Sequence, residues 1–224
     1  MTARGTGSRV RGALAAAGLA LASAQALAVD SDDMSRDLIR LHSSATQRDF
    51  VYWLPAQAIG TLMSDASSSE RDMLGKMLTG YELFMVSRVR IDAAGQPVPL
   101  ESGLPNDHVR LRLADGRVLL PEQDDDLPPV VRRIAIAFRP LFERQPGFGK
   151  GMHAVLFRLD DVANAPRIDS PKASTLTLLV DDVPIVWHLP LAGAVPPAVD
   201  PASGEKFPGG YFFNPYTGEP LKRP

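Results

Sequence analysis

The stretch HVRLRLADGRVLLP, residues 108–121, decides the class of fold. Its apolar residues fall at every second position and alternate with Arg110 and Arg112, which is the pattern of a strand with one buried face. Asp115-Gly116 is a preferred pair for a two-residue turn between antiparallel strands, and apolar residues resume behind it. The stretch therefore predicts a β-hairpin.

Further segments enriched in β-branched and aromatic residues predict more strands. They lie at residues 50–54, 81–91, 152–159, 175–180 and 183–189. The last two flank Asp181-Asp182, which indicates a second hairpin with a tight turn. Since strands joined by hairpins are antiparallel, the sheet is expected to be mostly antiparallel.

Helices are predicted at two places before the first hairpin. Ser67 and Glu70 match a capping box, and apolar residues follow at helical spacing, so a helix is expected over 68–79 with Gly80 as its C-terminal cap. A further helix is expected within residues 31–46, where two aspartates suit the positive N-terminal end of a helix and the apolar residues 34, 38 and 41 fall on one helical face.

The segment from Val130 to Phe142 fits two interpretations. Its apolar residues alternate around Ile136 as they would in a strand. However, acidic residues and Pro129 precede the segment and arginines lie toward its end, as at the two ends of a helix. We predict a helix, which Pro140 is expected to kink or end.

Together these elements predict an α+β fold with about six or seven mostly antiparallel strands and two or three helices. Three parts are expected along the chain. Residues 1–28 form a signal peptide, residues 29–192 form the α+β core domain, and residues 193–224 form a hairpin tail. The last boundary is placed where proline, glycine and alanine become dominant.

The first 28 residues have the three parts of a secretory signal peptide. Arg4, Arg9 and Arg11 form a positive region without acidic residues, a short apolar stretch follows, and residues 26–28 (Ala-Leu-Ala) are a small-x-small cleavage site. The apolar stretch is shorter than the ~20 residues of a membrane span. We expect a periplasmic or secreted protein, cleaved near Ala28 and without a transmembrane span thereafter.

Charge and cysteine content exclude several classes of function. Cleavage removes three arginines and no acidic residue, which leaves 21 basic and 26 acidic residues. This excess of acidic residues argues against nucleic-acid binding. The chain has no cysteine, so thiol chemistry is excluded and the fold depends on its hydrophobic core. Because no catalytic, cofactor or metal motif is found, none of these sites is predicted.

The C-terminal tail carries the most distinctive pattern in the chain. Asp200-Pro-Ala-Ser-Gly204 recurs fourteen residues later as Asn214-Pro-Tyr-Thr-Gly218, with aromatic residues around and between the copies. Each copy predicts a tight turn in which the Asx side chain accepts from the backbone, proline fixes φ and glycine takes a positive φ. Two such turns joined by an aromatic strand are expected to form a small hairpin.

This repeated pattern resembles the paired Cys-Pro-x-x-Gly knuckles of a zinc ribbon, with Asp200 and Asn214 in place of the leading cysteines. Upstream, three segments resemble uncharacterised exported bacterial proteins: residues 52–55, residues 138–152, and residues 187–191 running into Pro196-Pro197. Structural zinc takes four ligands, usually thiolates and imidazoles, and this tail has neither Cys nor His. The resemblance therefore implies a degenerate, metal-free ribbon.

The leading hypothesis for function is a non-catalytic binding or scaffolding protein of the cell envelope, with an envelope protein or a second copy of the chain as partner. The residues expected in the interaction tail are Asp200, Gly204, Tyr211, Phe213, Asn214, Tyr216 and Gly218. The alternative is a hydrolase in which His153 and His188 converge with nearby carboxylates. Neither histidine belongs to a known motif, so histidines at the surface or half-buried in a sheet are the simpler interpretation.

Overall fold

The structure is a computed structural model that describes residues 31–63, 67–100, 104–143, 148–159 and 165–223. The predicted signal peptide, residues 1–28, lies outside the described residues. The described chain is α+β with antiparallel sheets, as predicted. It contains eleven strands rather than six or seven. Residues Ile39–Ser43 form a strand in place of part of a predicted helix, and three further strands, Pro97–Pro99, Ala198–Val199 and Lys206–Phe207, are only two or three residues long.

The described helices are α1 (Ser31–Leu38), α2 (Ile59–Leu62), α3 (Ser68–Met77) and α4 (Pro129–Glu143). The described strands are β1 (Ile39–Ser43), β2 (Gln47–Leu54), β3 (Tyr81–Ile91), β4 (Pro97–Pro99), β5 (Val109–Arg112), β6 (Val118–Leu119), β7 (His153–Arg158), β8 (Ser174–Val180), β9 (Val183–Leu189), β10 (Ala198–Val199) and β11 (Lys206–Phe207). None of the helices in these ranges has the length and apolar character needed to cross a bilayer.

The larger of the two main sheets, called the large sheet below, is built around β3. Its order is β1-β2-β3-β4, and β7 also pairs with β3. One edge of β3 pairs with β2, and the eleven residues of β3 are long enough for two partners on the other edge: β7 pairs with the N-terminal half and β4 with the last three residues. All of these pairings are antiparallel.

The second main sheet, called the small sheet below, has the order β6-β5-β8-β9 and contains both predicted hairpins. The first hairpin is present as predicted, but its loop has three residues, 114–116, rather than the two of Asp115-Gly116, because Leu113 and Arg117 close it. Leu113 N donates to Arg117 O at 2.9 Å, and Gly116 has φ +89°, which residues with a Cβ rarely adopt. The second hairpin turns at Asp181-Asp182 and joins β8 to β9.

The described chain packs in three layers. Trp53 of the large sheet and Trp187 of the small sheet meet with their ring centroids 5.9 Å apart, so the two sheets bury their facing sides against each other. On the other side of the large sheet, Tyr52 packs edge-on against Phe142 of α4 at 5.0 Å. Because both faces of the large sheet are covered, nine consecutive residues of β3 are buried.

The predicted capping box at the start of α3 is present. Ser67 Oγ accepts from Glu70 N at 3.3 Å, and Glu70 Oε2 accepts from Ser67 N at 2.8 Å. The helix ends at Met77, two residues earlier than predicted, with Leu78 rather than Gly80 as its C-terminal cap, and Gly80 follows with φ +84°. Local capping chemistry therefore fixes this helix, as the sequence indicated.

The helix predicted over residues 31–46 is correct only as far as Leu38. Residues Ile39–Ser43 instead form β1, which pairs with β2 along its whole length. Leu38 in α1 is fully buried, whereas Leu41 in β1 is 55% exposed. The apolar residues that were expected on one helical face therefore lie partly in a helix and partly in an edge strand. Pairing with β2 overrides the local helical pattern here.

The helix predicted after Pro129 is confirmed, and it continues through Pro140 to Glu143. Proline lacks the N–H that would bind the carbonyl four residues earlier, which belongs to Ile136. The Ile136 side chain is 62% exposed, so this carbonyl lies on the solvent side of α4, where water can satisfy it.

The end of α1 is tied to the small sheet and to the segment that follows it. Trp187 Nε1 donates to Leu38 O at 3.3 Å, and Arg40 Nε donates to Val186 O at 3.0 Å. The carboxylate of Asp37 accepts from Gly193 N at 3.0 Å. The N-terminal helix is therefore anchored where β9 leads into the C-terminal tail.

Candidate functional site

The first Asx-Pro turn of the tail is closed by its own side chain. Asp200 Oδ1 accepts from Ala202 N at 2.7 Å and from Ser203 N at 3.2 Å. Gly204 N donates to Asp200 O at 2.8 Å, and Gly204 has φ +74°. β10 and β11 flank this turn as a two-stranded hairpin. The turn thus has the geometry that its sequence predicted.

The second turn repeats this hydrogen-bond pattern around Asn214. Asn214 Oδ1 accepts from Tyr216 N at 2.8 Å and from Thr217 N at 3.3 Å. Gly218 N donates to Asn214 O at 2.8 Å, and Gly218 has φ +76°. The turn is flanked by a single bridge between Phe213 and Pro220. Each turn therefore forms its own small loop, whereas the sequence predicted one hairpin with both turns.

The two turns meet through their leading side chains. Asn214 Nδ2 donates to Asp200 Oδ2 at 2.6 Å, and the two residues are only 4% and 5% exposed. The pKa of Asp200 is lowered, because Ala202 N and the Asn214 amide donate hydrogen bonds that favour the carboxylate. Residues 198–223, called the two-turn tail below, are thus joined at their centre by one side-chain pair.

Backbone contacts attach the two-turn tail to the segment that precedes it. A Cβ at Gly209 would lie 2.4 Å from Val195 O, and one at Gly210 would lie 3.0 Å from Pro190 O. Within the tail, Val199 and Lys222 exchange hydrogen bonds of 2.7 and 2.9 Å. Only glycine allows the chain to approach this closely, so the position of the tail depends on the glycine pair.

Aromatic side chains stand on the outside of the two-turn tail. Tyr211, Phe213 and Tyr216 are 45%, 61% and 82% exposed. The Tyr216 ring keeps a contact with the buried Phe207, with their centroids 6.3 Å apart. Three exposed aromatic rings thus project from a backbone that is held by hydrogen bonds, which is the kind of surface that protein partners bind.

The two histidines of the hydrolase alternative are not brought together. His188 lies on β9 between the buried Trp187 and Leu189, so its exposed side chain points away from the large sheet. His153 lies on β7 of the large sheet, where burial lowers its pKa. The Nε2 atom of His153 has no hydrogen-bond partner among the described residues.

One charged cluster between the two sheets was not predicted from the sequence. Arg88 of β3 donates two hydrogen bonds to Asp49 of β2, from Nε at 2.6 Å and from Nη2 at 3.1 Å. Its Nη1 atom binds Asp181 in the β8–β9 turn. Asp181 also binds the Nδ1 atom of His108. We call these four residues the inter-sheet ion cluster.

The sequence held two signals for the inter-sheet ion cluster. Asp49 and Arg88 are charged residues beside apolar runs in two strands, and charged residues are paired when such a strand is buried. Asp181-Asp182 stands as a pair of acidic residues in a predicted two-residue turn, where asparagine and glycine are preferred. The sequence alone could not show that the two positions meet, because 93 residues separate Arg88 from Asp181.

The described residues contain no group of three or more His, Cys, Asp or Glu side chains placed to hold a metal ion. No protein-family model, no curated protein and no solved structure matches the chain.

Proposed function

We propose that the protein is an exported, non-catalytic binding or scaffolding protein of the cell envelope, and that the two-turn tail is its docking element. The observation that carries this proposal is the exposure of Tyr211, Phe213 and Tyr216 on a backbone fixed by hydrogen bonds. The three-part N-terminal pattern of residues 1–28 supports the location in the envelope.

A fixed backbone favours binding because less conformational entropy is lost when the partner docks. Both turns are closed by Asx side chains, and the buried pair between Asp200 and Asn214 joins them. The aromatic rings therefore project from a preorganised surface. Tyrosine and phenylalanine supply a large apolar contact area with few rotatable bonds, which makes them efficient anchors in an interface.

The geometry gives less support to the hydrolase alternative. His153 and His188 lie on different sheets, and His188 faces away from the large sheet. A dispersed catalytic site needs its acid, base and nucleophile within hydrogen-bond reach of one substrate position. The binding function is therefore the better-supported proposal.

We further propose that the two-turn tail is a degenerate zinc ribbon that is stable without a metal ion. The two turns share the same hydrogen-bond pattern at a spacing of fourteen residues. Their leading side chains meet in a buried hydrogen bond of 2.6 Å. This bond supplies the link between two knuckles that a bound ion supplies in a zinc ribbon.

Photo-crosslinking in the native host tests the docking proposal. A photoreactive amino acid at Tyr216 is expected to give one discrete adduct in the envelope fraction, with an envelope protein or a second copy of the chain. The control places the same group at Ile136, which is also exposed but lies on α4. Equal adducts at both positions, or none at Tyr216, contradict a docking role.

Cell fractionation with N-terminal sequencing tests export in the same strain. The mature chain is expected in the envelope or the medium, and is expected to begin near Val29. A cytosolic chain that retains Met1 overturns the export proposal without affecting the description of the tail.

A further inference from the structure

Four aromatic rings form the centre of the contact between the two sheets. Trp53 stacks on Phe84 with centroids 6.4 Å apart, and both rings contact Trp187 of the small sheet, at 5.9 and 5.6 Å. Phe157 packs edge-on against Phe84 at 5.8 Å. All four residues are buried. This cluster is the apolar centre of the described core.

A carboxyl group lies within this aromatic cluster. Glu82 is two residues from Phe84 on β3, so it shares the face that packs against the small sheet, and it pairs across the sheet with Phe157. Its side chain accepts a hydrogen bond of 2.6 Å from Trp53 Nε1. Only 4% of the residue is exposed.

No described cation neutralises Glu82. The guanidinium of Arg88 is bound by Asp49 and Asp181. The guanidinium of Arg40 lies over the Trp187 ring and donates hydrogen bonds to backbone carbonyls. Arg158 lies over the ring of Tyr81, which is next to Glu82 along β3 and therefore on the opposite face of the sheet. Trp53 Nε1 is the hydrogen-bond partner of the carboxyl among the described residues.

We propose that Glu82 is a proton-dependent lock between the two sheets: the protonated carboxyl completes the packed core, and its ionisation loosens the contact around Trp53 and Trp187. A carboxylate with one donor and no cation is costly to bury, whereas the neutral acid is tolerated. The lock responds to alkaline conditions, and it is independent of the two-turn tail.

Burial raises the pKa of Glu82 to about 8, although the hydrogen bond from Trp53 acts in the opposite direction. An unfolded glutamate ionises near 4.5. The folded chain therefore keeps a proton that the unfolded chain loses, and the contribution of Glu82 to stability falls as pH rises between these two values. At about pH 8 half of the folded chains have lost the proton, and from about one pH unit higher both states are ionised, so this contribution changes no further.

Tryptophan fluorescence reports on the lock directly, since the chain has only two tryptophans. In a Trp187→Phe variant, the emission of Trp53 is expected to change with a midpoint near pH 8. Adding Glu82→Gln is expected to abolish this transition, because the amide keeps the size of the side chain but cannot ionise. Glu219→Gln, at an exposed position of the tail, is the matched control and is expected to leave the transition unchanged.

Equilibrium unfolding in urea gives a second readout on chains with both tryptophans. Between roughly pH 5 and 7.5, the unfolding equilibrium constant of the wild type is compared with that of Glu82→Gln. The ratio of the two constants is expected to rise about tenfold per pH unit. The two chains are expected to change in parallel above about pH 9. Equal pH slopes throughout, or a fluorescence transition that survives Glu82→Gln, overturn the proposal.

A measurement on the wild type keeps the proposal testable even where the variant does not fold. The side-chain carboxyl carbon of Glu82, assigned through its bonds to the backbone by NMR, is expected to titrate with a midpoint near pH 8. A midpoint between pH 4 and 5 overturns the proposal, because the carboxyl is then already ionised in the folded core at neutral pH.

Discussion

The guanidinium of Arg88 binds the carboxylate of Asp49 through two hydrogen bonds, of 2.6 and 3.1 Å, between the two sheets. Asp49 is 1% exposed and Arg88 is 8% exposed. A third donor of the same guanidinium reaches Asp181, which belongs to the small sheet. Arg88 thus neutralises the buried Asp49 and also connects the β8–β9 turn of the small sheet to the central strands of the large sheet.

Replacing Arg88 with methionine is expected to lower the free energy of unfolding by about 3–5 kcal/mol, because Asp49 then remains buried without a cation. Urea unfolding followed by circular dichroism measures this change. The control is Arg110→Met, which removes an ion pair to Asp182 at the surface and is expected to cost less than about 1 kcal/mol. Equal losses in both variants contradict a special role for the buried pair.

The pair between Asp200 and Asn214 predicts a specific response to charge. Asn214→Asp places two carboxyl groups at the position of the 2.6 Å hydrogen bond, and two such groups cannot both ionise. The tail of this variant is expected to open at neutral pH and to close again below about pH 4, where one of the two acids is protonated. Amide hydrogen exchange at Ser203 and Tyr216 reports the opening, with an expected acceleration on the order of tenfold or more.

The double variant Asp200→Asn with Asn214→Asp is the matched control for this prediction. It exchanges the two partners, so one amide still faces one carboxylate. Exchange rates in the tail are expected to return to the wild-type range at neutral pH. If the double variant opens as far as the single one, the side-chain pair does not hold the turns together.

Two glycines are expected to respond to alanine in opposite directions. A Cβ at Gly209 would come within 2.4 Å of Val195 O, and backbone atoms cannot easily move aside, so Gly209→Ala is expected to displace the tail. At Gly75 in α3 the nearest atom would be 3.8 Å away, an ordinary contact. Gly75→Ala is therefore expected to stabilise the chain by about 0.5–1 kcal/mol through helix propensity.

Limited proteolysis and thermal unfolding separate these two outcomes. Cleavage within residues 205–219 is expected to be faster in Gly209→Ala than in the wild type, with the core still protected. Gly75→Ala is expected to unfold at a higher temperature and to show the wild-type cleavage pattern. A Gly209→Ala chain that is cleaved like the wild type shows that the close approach does not position the tail.

Acid is expected to weaken the inter-sheet ion cluster through Asp181. Partial burial raises the pKa of this carboxyl, but the hydrogen bonds from Arg88 and His108 outweigh that effect, so the pKa is lowered overall. The stabilisation from Asp181 is present above pH 3.8, the value of an unfolded aspartate, and is lost as pH falls through the lowered pKa.

The variants Asp181→Asn and Asp182→Asn test this dependence. Both positions have positive φ, which asparagine tolerates, so the backbone effect is matched. The stability difference between the wild type and Asp181→Asn is expected to shrink between pH 5 and pH 2.5 in urea unfolding. The difference for Asp182→Asn, whose partner Arg110 is at the surface, is expected to stay small. A wild-type advantage over Asp181→Asn that persists at pH 2.5 contradicts the assignment.

Much of the fold was predictable because its signals are local. The capping box of Ser67 and Glu70 and the turn at Asp115-Gly116 each depend on residues within a few positions of one another. The antiparallel character followed from those hairpins. The pattern of the two tail turns was also local, since each Asx side chain binds the backbone of its own turn.

The features that escaped prediction depend on contacts between distant residues. Ile39–Ser43 are a strand only because β2 lies beside them, and their own spacing fits a helix. Asp181 looked like an ordinary turn residue, because its partner Arg88 lies on another sheet. The buried position of Glu82 in the aromatic cluster was hidden for the same reason.

The carboxylate of Asp37 holds the backbone of Gly193 at 3.0 Å, at the base of the two-turn tail. A mechanical load applied at the start of α1 therefore reaches the tail over a short route that bypasses the strands of both sheets. Because α1 also continues directly into β1, a load on anything tethered ahead of Ser31 is expected to strain the two-turn tail together with the large sheet.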